Sequence, residues 1–128
     1  MYLSRWHRGA LMALDFAVTS GLRSDSLVPS AADGHSAAAR YGDTKNEYLD
    51  TRRHCESEGV GFTPMVVEAR DGGWGPAAND FWWKLAKTTA LATGERPSVV
   101  EGQLRQALGV TLHRENARAI LKRRPTAP

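Results

Sequence analysis

Cysteine is almost missing from this sequence: Cys55 stands alone among 128 residues. An internal disulfide is therefore excluded, and no Cys-x-x-Cys exists on which to build a thiolate zinc site. His7, His35, His54 and Cys55 are too scattered to replace one. A chain without disulfides suits a reducing, intracellular compartment. Long apolar runs are missing too. No stretch approaches the about 18 residues of a membrane-spanning helix, so no membrane partner is expected. Asp15 interrupts the best candidate for a signal-peptide core, so no secretory leader is expected. Internal repeats and low-complexity tracts are absent.

What remains is the composition of a soluble globular protein, 41% hydrophobic and 24% charged, with four Trp. At this length the chain is one domain's worth of residues and can bury a modest core. The net charge of +3 is unevenly placed. Residues 98–128 carry +4, and the remainder carries −1. The basic character thus belongs to the C-terminal segment. It points to a polyanion partner, although basic tails also serve solubility.

The clearest local pattern is Ala13 to Thr19, where Leu14, Phe16 and Val18 alternate with smaller or polar residues. A period of two predicts a strand. Leu11 to Thr19 is expected to pair as a hairpin with Met1 to Trp6 across a turn at His7-Arg8-Gly9-Ala10. Ser20 to Gly34, rich in Ser, Gly and Asp, reads as a loop of about 15 residues, long enough to suggest function or mobility. Ser36 to Glu58 reads as one long helix, with Tyr41, Lys45, Tyr48, Leu49, Arg52 and Cys55 on one face. Phe62 to Ala69 reads as a second clear strand, with Pro64 near its start or on a sheet edge. A turn at 71–76 leads to a helix over Ala77 to Thr93. Adjacent Trp82 and Trp83 project about 100° apart, so at most one of them reaches the centre of a narrow buried stripe. Ser98 to Glu101 has the form of a capping box, opening a helix to about Leu108. Gly109 is expected to interrupt it. Leu112 to Arg124 would form a last helix, basic on one side through Arg114, Arg118 and Lys122 and stopped by Pro125. The expected fold is α/β: a small mixed sheet of about three strands flanked by helices over residues 1–93, then a basic helical extension over 94–128.

Three residues could carry chemistry. Asp is disfavoured inside strands, so Asp15 is either a solvent-facing acid or a metal ligand. Lysine is almost never buried unless paired. Lys45 therefore either snorkels to water or points its ammonium at Asp15, within about 6 Å. Glu68, at the far end of its strand, is either an acid paired to a nearby base or a third member of that centre. Phosphodiester cleavage suits such a set: carboxylates hold Mg²⁺, the metal activates water, and a lysine offsets charge growing on the phosphate. Other constellations are weaker. Ser20, Asp33 and His35 lack nucleophile-elbow spacing. Gly72-Gly73-Trp74-Gly75 lacks the Gly-Lys-Ser/Thr ending of a phosphate loop. Trp74, Trp82 and Trp83 suit either core packing or base stacking.

Three stretches together resemble the restriction-like endonuclease of site-specific non-long-terminal-repeat retrotransposons, a branch of the PD-(D/E)XK nucleases. They are Leu14-Asp15-Phe16-Ala17-Val18, Lys45-Asn46-Glu47-Tyr48, and Phe62-Thr63-Pro64-Met65-Val66-Val67 with Gly72-Gly73 after it. The resemblance covers residues 1–92. It implies a partial PD-(D/E)XK core and a DNA endonuclease dependent on Mg²⁺ or Mn²⁺, with no small-molecule cofactor and a nuclear location. Asp15 would be catalytic and the metal ligand, Lys45 and Glu68 would be catalytic, and Arg114, Arg118, Lys122, Arg123 and Arg124 would hold DNA. Two features depart from the family. Its Pro-Asp would fall upstream of Met1, so the resemblance implies a fragment lacking one metal ligand, the first strand and the first helix. The fold's usual lysine, two residues after the acid, is replaced by Ala17, and the helix lysine compensates, as it does in this family. The alternative is a non-catalytic nucleic-acid-binding or interaction module that uses the basic helix.

Overall fold

Two short runs of alternating residues meet at Gly9, whose φ of +75° is a conformation glycine adopts without strain. They form strands β1 (Tyr2–Trp6) and β2 (Ala10–Thr19), paired antiparallel. The computed structural model describes residues 1–6, 9–20, 36–70, 72–123 and 125. The expected loop beyond Ser20, together with Asp33, His35 and Asp71, lies outside them, as do His7 and Arg8 of the expected turn. Helix α1 (Ser36–Glu47) is followed by a 3₁₀ turn (Tyr48–Asp50), helix α2 (Thr51–Ser57) and strand β3 (Val60–Glu68). Helices α3 (Pro76–Thr93) and α4 (Pro97–Lys122) complete the described elements. The fold is mixed α/β, with one three-stranded sheet in the order β1-β2-β3.

The register sets which residues share a face. β3 runs parallel to β2, with Asp15 opposite Pro64 and Thr19 opposite Glu68. Side chains alternate between faces along a strand, so Asp15, Ala17 and Thr19 share one face with Pro64, Val66 and Glu68. Leu14, Phe16 and Val18 share the other with Met65 and Val67. On that second face Trp6 stacks on Phe81 from the start of α3, with ring centroids 4.3 Å apart. Thr63 Oγ1 donates there to Met12 Sδ at 3.3 Å. Met65 and Val66 are fully buried, one on each face. They anchor the core, and burying each such side chain contributes about 1.5–3 kcal/mol.

Pro64 lies inside β3 rather than at its start. β3 is an edge strand, and Pro64's position on it directs its backbone away from β2, where the missing N–H breaks no ladder bond. β1 covers only the first half of β2: Met1 and Leu14 exchange backbone hydrogen bonds of 2.7 and 2.8 Å. From Asp15 onward that side of β2 has no strand beside it among the described residues.

Several expected boundaries are corrected. The helix expected from Ser36 to Glu58 is broken at Tyr48–Asp50, where Asp50 takes a left-handed φ of 53°. A left-handed residue reverses the local twist and cannot continue an α-helix. The face proposed from Tyr41 to Cys55 is therefore not continuous. Tyr48 and Arg52 are exposed, and the side chain of Leu49 lies outside the described set. Gly109 does not interrupt the last helix: α4 runs unbroken for 26 residues. Each of its two interior glycines, Gly102 and Gly109, costs about 1 kcal/mol relative to Ala, which does not break so long a helix. The capping box does not form either. Arg96 is the N-cap and Pro97 opens the helix, with no side-chain cap bond. Proline's fixed φ suits the first helical position, so the helix begins before Ser98 can cap it.

The chain gathers into two compact units, Met1–Phe81 and Trp82–Pro128. The first holds the sheet, α1, α2 and the start of α3. In the second, Trp82 is buried at 7% exposure while Trp83 is 37% exposed, which separates the two neighbours as their angular spacing requires. No residue of α4 is buried.

Candidate functional site

The site is built where α1 crosses the sheet. Ala38 and Gly42 are buried and one turn apart. A Cβ on Gly42 would meet Pro64 Cγ at 3.7 Å, so the helix passes directly over Pro64. Lys45 lies one turn beyond Gly42 on the same side of α1, because residues three and four apart share a helix face. Asp15 is Pro64's partner on the neighbouring strand. The close approach at Gly42 thus brings Lys45 over Asp15.

Lys45 Nζ donates a hydrogen bond to Asp15 Oδ2. The two form an ion pair in which the Lys45 side chain is 16% exposed and that of Asp15 is 48% exposed. The sequence-based expectation that these charges lie within about 6 Å is met by direct contact. Lys45 Nζ also sits 5.6 Å from the Tyr41 ring centroid, a cation–π distance. An open pocket of about 410 Å³ lies at the pair, lined by Asp15, Tyr41, Thr44, Lys45, Tyr48 and Thr51. Its described lining offers two tyrosine rings, four hydroxyls and one compensated charge pair. The spacing of four between Tyr41 and Lys45 puts them on one helix face. Thr44 and Thr51 carried no signal, and Thr51 reaches the pocket only because the chain turns at Asp50.

Glu68 does not join this pair. It shares the sheet face of Asp15 but sits four strand positions beyond Asp15's partner, about 13 Å along the strand at 3.3 Å per residue. It is buried, at 4% exposure. Its Oε2 accepts the Arg70 N–H at 2.7 Å, its own N–H donates to Gly73 O at 2.8 Å, and its carbonyl accepts the Gly72 N–H at 3.1 Å. These bonds close the turn after β3.

Among the described residues no three His, Cys, Asp or Glu side chains come together as a metal cluster. Among the described residues Asp15 is the only carboxylate that lines the pocket. Magnesium is commonly held by one or two carboxylates together with substrate phosphates and water. Asp15 supplies one carboxylate, and it is already paired with the Lys45 ammonium. It does not form a resident cage.

The basic residues lie elsewhere, on α4. Arg114, Arg118, Lys122 and Arg123 are exposed. Arg118 Nη1 pairs with Glu115 Oε1 at 2.6 Å. Arg114, Lys122 and Arg123 make no ion pair among the described residues, and Arg124 lies outside them. No protein-family model, curated protein or solved structure matches this chain.

Proposed function

We propose that this chain is a DNA endonuclease-like domain of retrotransposon type, acting in the nucleus, with Asp15 and Lys45 as the reactive pair. The observation that supports the reading is the ion pair itself. A strand acid and a lysine from the following crossover helix, far apart in sequence, meet at the wall of an open pocket. Asp15 would be the protein ligand of a Mg²⁺ or Mn²⁺ ion, which supplies water activation and charge neutralisation when bound. Lys45 offers a compact cation to a phosphate oxygen. Tyr48, 68% exposed at the pocket rim, offers a ring and a hydroxyl to a nucleotide. The placement of Glu68 favours a structural role in the turn over direct participation. The experiment is nicking of supercoiled plasmid with Mg²⁺ or Mn²⁺. Nicking by the wild-type chain and its loss in Asp15→Ala support the reading. Absence of nicking at every metal concentration refutes it.

A second reading is favoured by the lack of another acid beside Asp15 among the described residues and by the uncompensated charges on α4. In it the chain binds nucleic acid without cutting, through Arg114, Lys122 and Arg123. It predicts salt-dependent DNA binding that Asp15→Ala leaves intact.

A further inference from the structure

The two edges of the sheet differ in how their backbone is closed. On β3, residues 64, 66 and 68 turn their backbone groups away from β2. Pro64 has no N–H to offer there. Val66 O accepts the Gly75 N–H at 2.9 Å, and the Glu68 N–H donates to Gly73 O at 2.8 Å. The other edge, where β1 stops short, is open. Leu14 exchanges its backbone bonds with Met1 on that side. Thr19 O faces the opposite way and accepts the Ala69 N–H at 2.8 Å. Backbone direction alternates along a strand, so Phe16 and Val18 point their N–H and C=O groups to the side of Met1. Among the described residues no strand lies beside them there. Native sheets blunt such an edge with lysine, proline or a bulge. Residues 15–19 carry neither Lys nor Pro, and their register with β3 is regular. Phe16 and Val18 are 46% and 58% exposed.

We propose that this open edge of β2 pairs antiparallel with the same edge of a second copy of the chain, about a two-fold axis at Ala17. The edge is complementary to itself. With the axis at Ala17, Phe16 falls opposite the partner's Val18, and Val18 falls opposite the partner's Phe16. These are the residues whose backbone groups point outward, so each pair exchanges both of its N–H···O bonds. Each pair also sets an aromatic ring beside a β-branched side chain, a favourable cross-strand combination. Both lie on the sheet face of Leu14 and Met65, so the exposed apolar surface of the two copies becomes continuous. Ala17, on the other face, leaves room at the axis. Asp15 falls opposite the partner's Thr19, so no like charges oppose each other, and the Asp15 charge is already balanced by Lys45. Met1 occupies the place beside Leu14 and limits the paired stretch to residues 15–19. The two-fold axis uses the same edge of both copies and closes the pair, so no third copy is recruited there. The pairing requires neither a metal ion nor nucleic acid.

The test is sedimentation velocity of the full chain over a concentration series reaching about 1 mM, the weak end of specific association. The paired stretch is short, so a weak, concentration-dependent dimer is expected. Val18→Pro removes one outward N–H from each copy. The ladder to β3 stays whole, because the odd-numbered residues of β2 carry it. This variant is expected to weaken the dimer about tenfold or more. Phe16→Lys is expected to do the same by placing a charge on the edge. A wild-type chain that stays monomeric overturns the proposal. So does a dimer whose affinity is unchanged in folded Val18→Pro and Phe16→Lys. Amide hydrogen exchange on the wild-type chain needs no variant. The Phe16 and Val18 amides are expected to gain protection as concentration rises, whereas the Ala17 amide, bonded to β3, is protected throughout. A dimer in which the Phe16 and Val18 amides exchange as fast as in the monomer overturns the proposal.

Discussion

The stability of the Asp15–Lys45 pair should be asymmetric between its partners, and a double-mutant cycle measures this. In Asp15→Asn the Lys45 ammonium remains at 16% exposure without its carboxylate. A part-buried charge that loses its partner costs about 1–3 kcal/mol, and the remaining exposure places this case near the low end, about 1–1.5. In Lys45→Met the orphaned group is Asp15, which is 48% exposed and can be hydrated where it stands. That change should cost about 0.5 kcal/mol or less, because the methionine retains most of the apolar stem. The double variant removes both charges and should be more stable than the sum of the two losses predicts. A coupling of about 0.5–1 kcal/mol follows, the scale of a partly exposed pair. Urea unfolding monitored by circular dichroism resolves these differences, since a slope of about 1–3 kcal/mol per molar converts them into measurable midpoint shifts. If Lys45→Met proves the costlier change, or if the two losses simply add, the pair does not hold Lys45 in the way the burial values imply.

Three further outcomes are expected. Met65→Ala, at a fully buried position in the sheet, should cost about 2–5 kcal/mol and lower the urea midpoint more than any change at the pocket. Gly109→Ala should stabilise helix α4 by about 0.5–1 kcal/mol, since a Cβ there meets nothing within 4 Å, and thermal melting of the helical signal checks it. Replacing Arg114, Lys122 and Arg123 together by Ala should flatten the dependence of log DNA affinity on log salt by about 0.9 for each phosphate no longer neutralised, measured by fluorescence anisotropy across a salt series, and an unchanged slope would place the DNA elsewhere.

The strands were legible because their signal is local. Alternation around Asp15 and the apolar run at Met65-Val66-Val67 located β2 and β3 to within two residues at each end. Helix ends were less legible, because they depend on competition between neighbouring signals. Pro97 overrode the Ser98 cap, and Asp50 ended a helical stretch whose composition would have continued it. Composition also carried the charge asymmetry and the lone cysteine. Asp15 stood out as an anomaly in a strand, and Lys45 as an anomaly on a packed helix face.

What joins those two residues was decided only in three dimensions. The parallel register sets Asp15 beside Pro64, and Gly42 lets α1 come down onto Pro64, so that Lys45, one turn further on, reaches Asp15. No local pattern encodes that meeting, because it depends on the pairing of β2 with β3 across more than forty residues of chain. The same register separates Glu68 from the pair. Sequence could nominate all three residues as a set, since each stood out for its own local reason. Distance along a strand and the docking point of one helix determined that two of them touch and the third closes a turn.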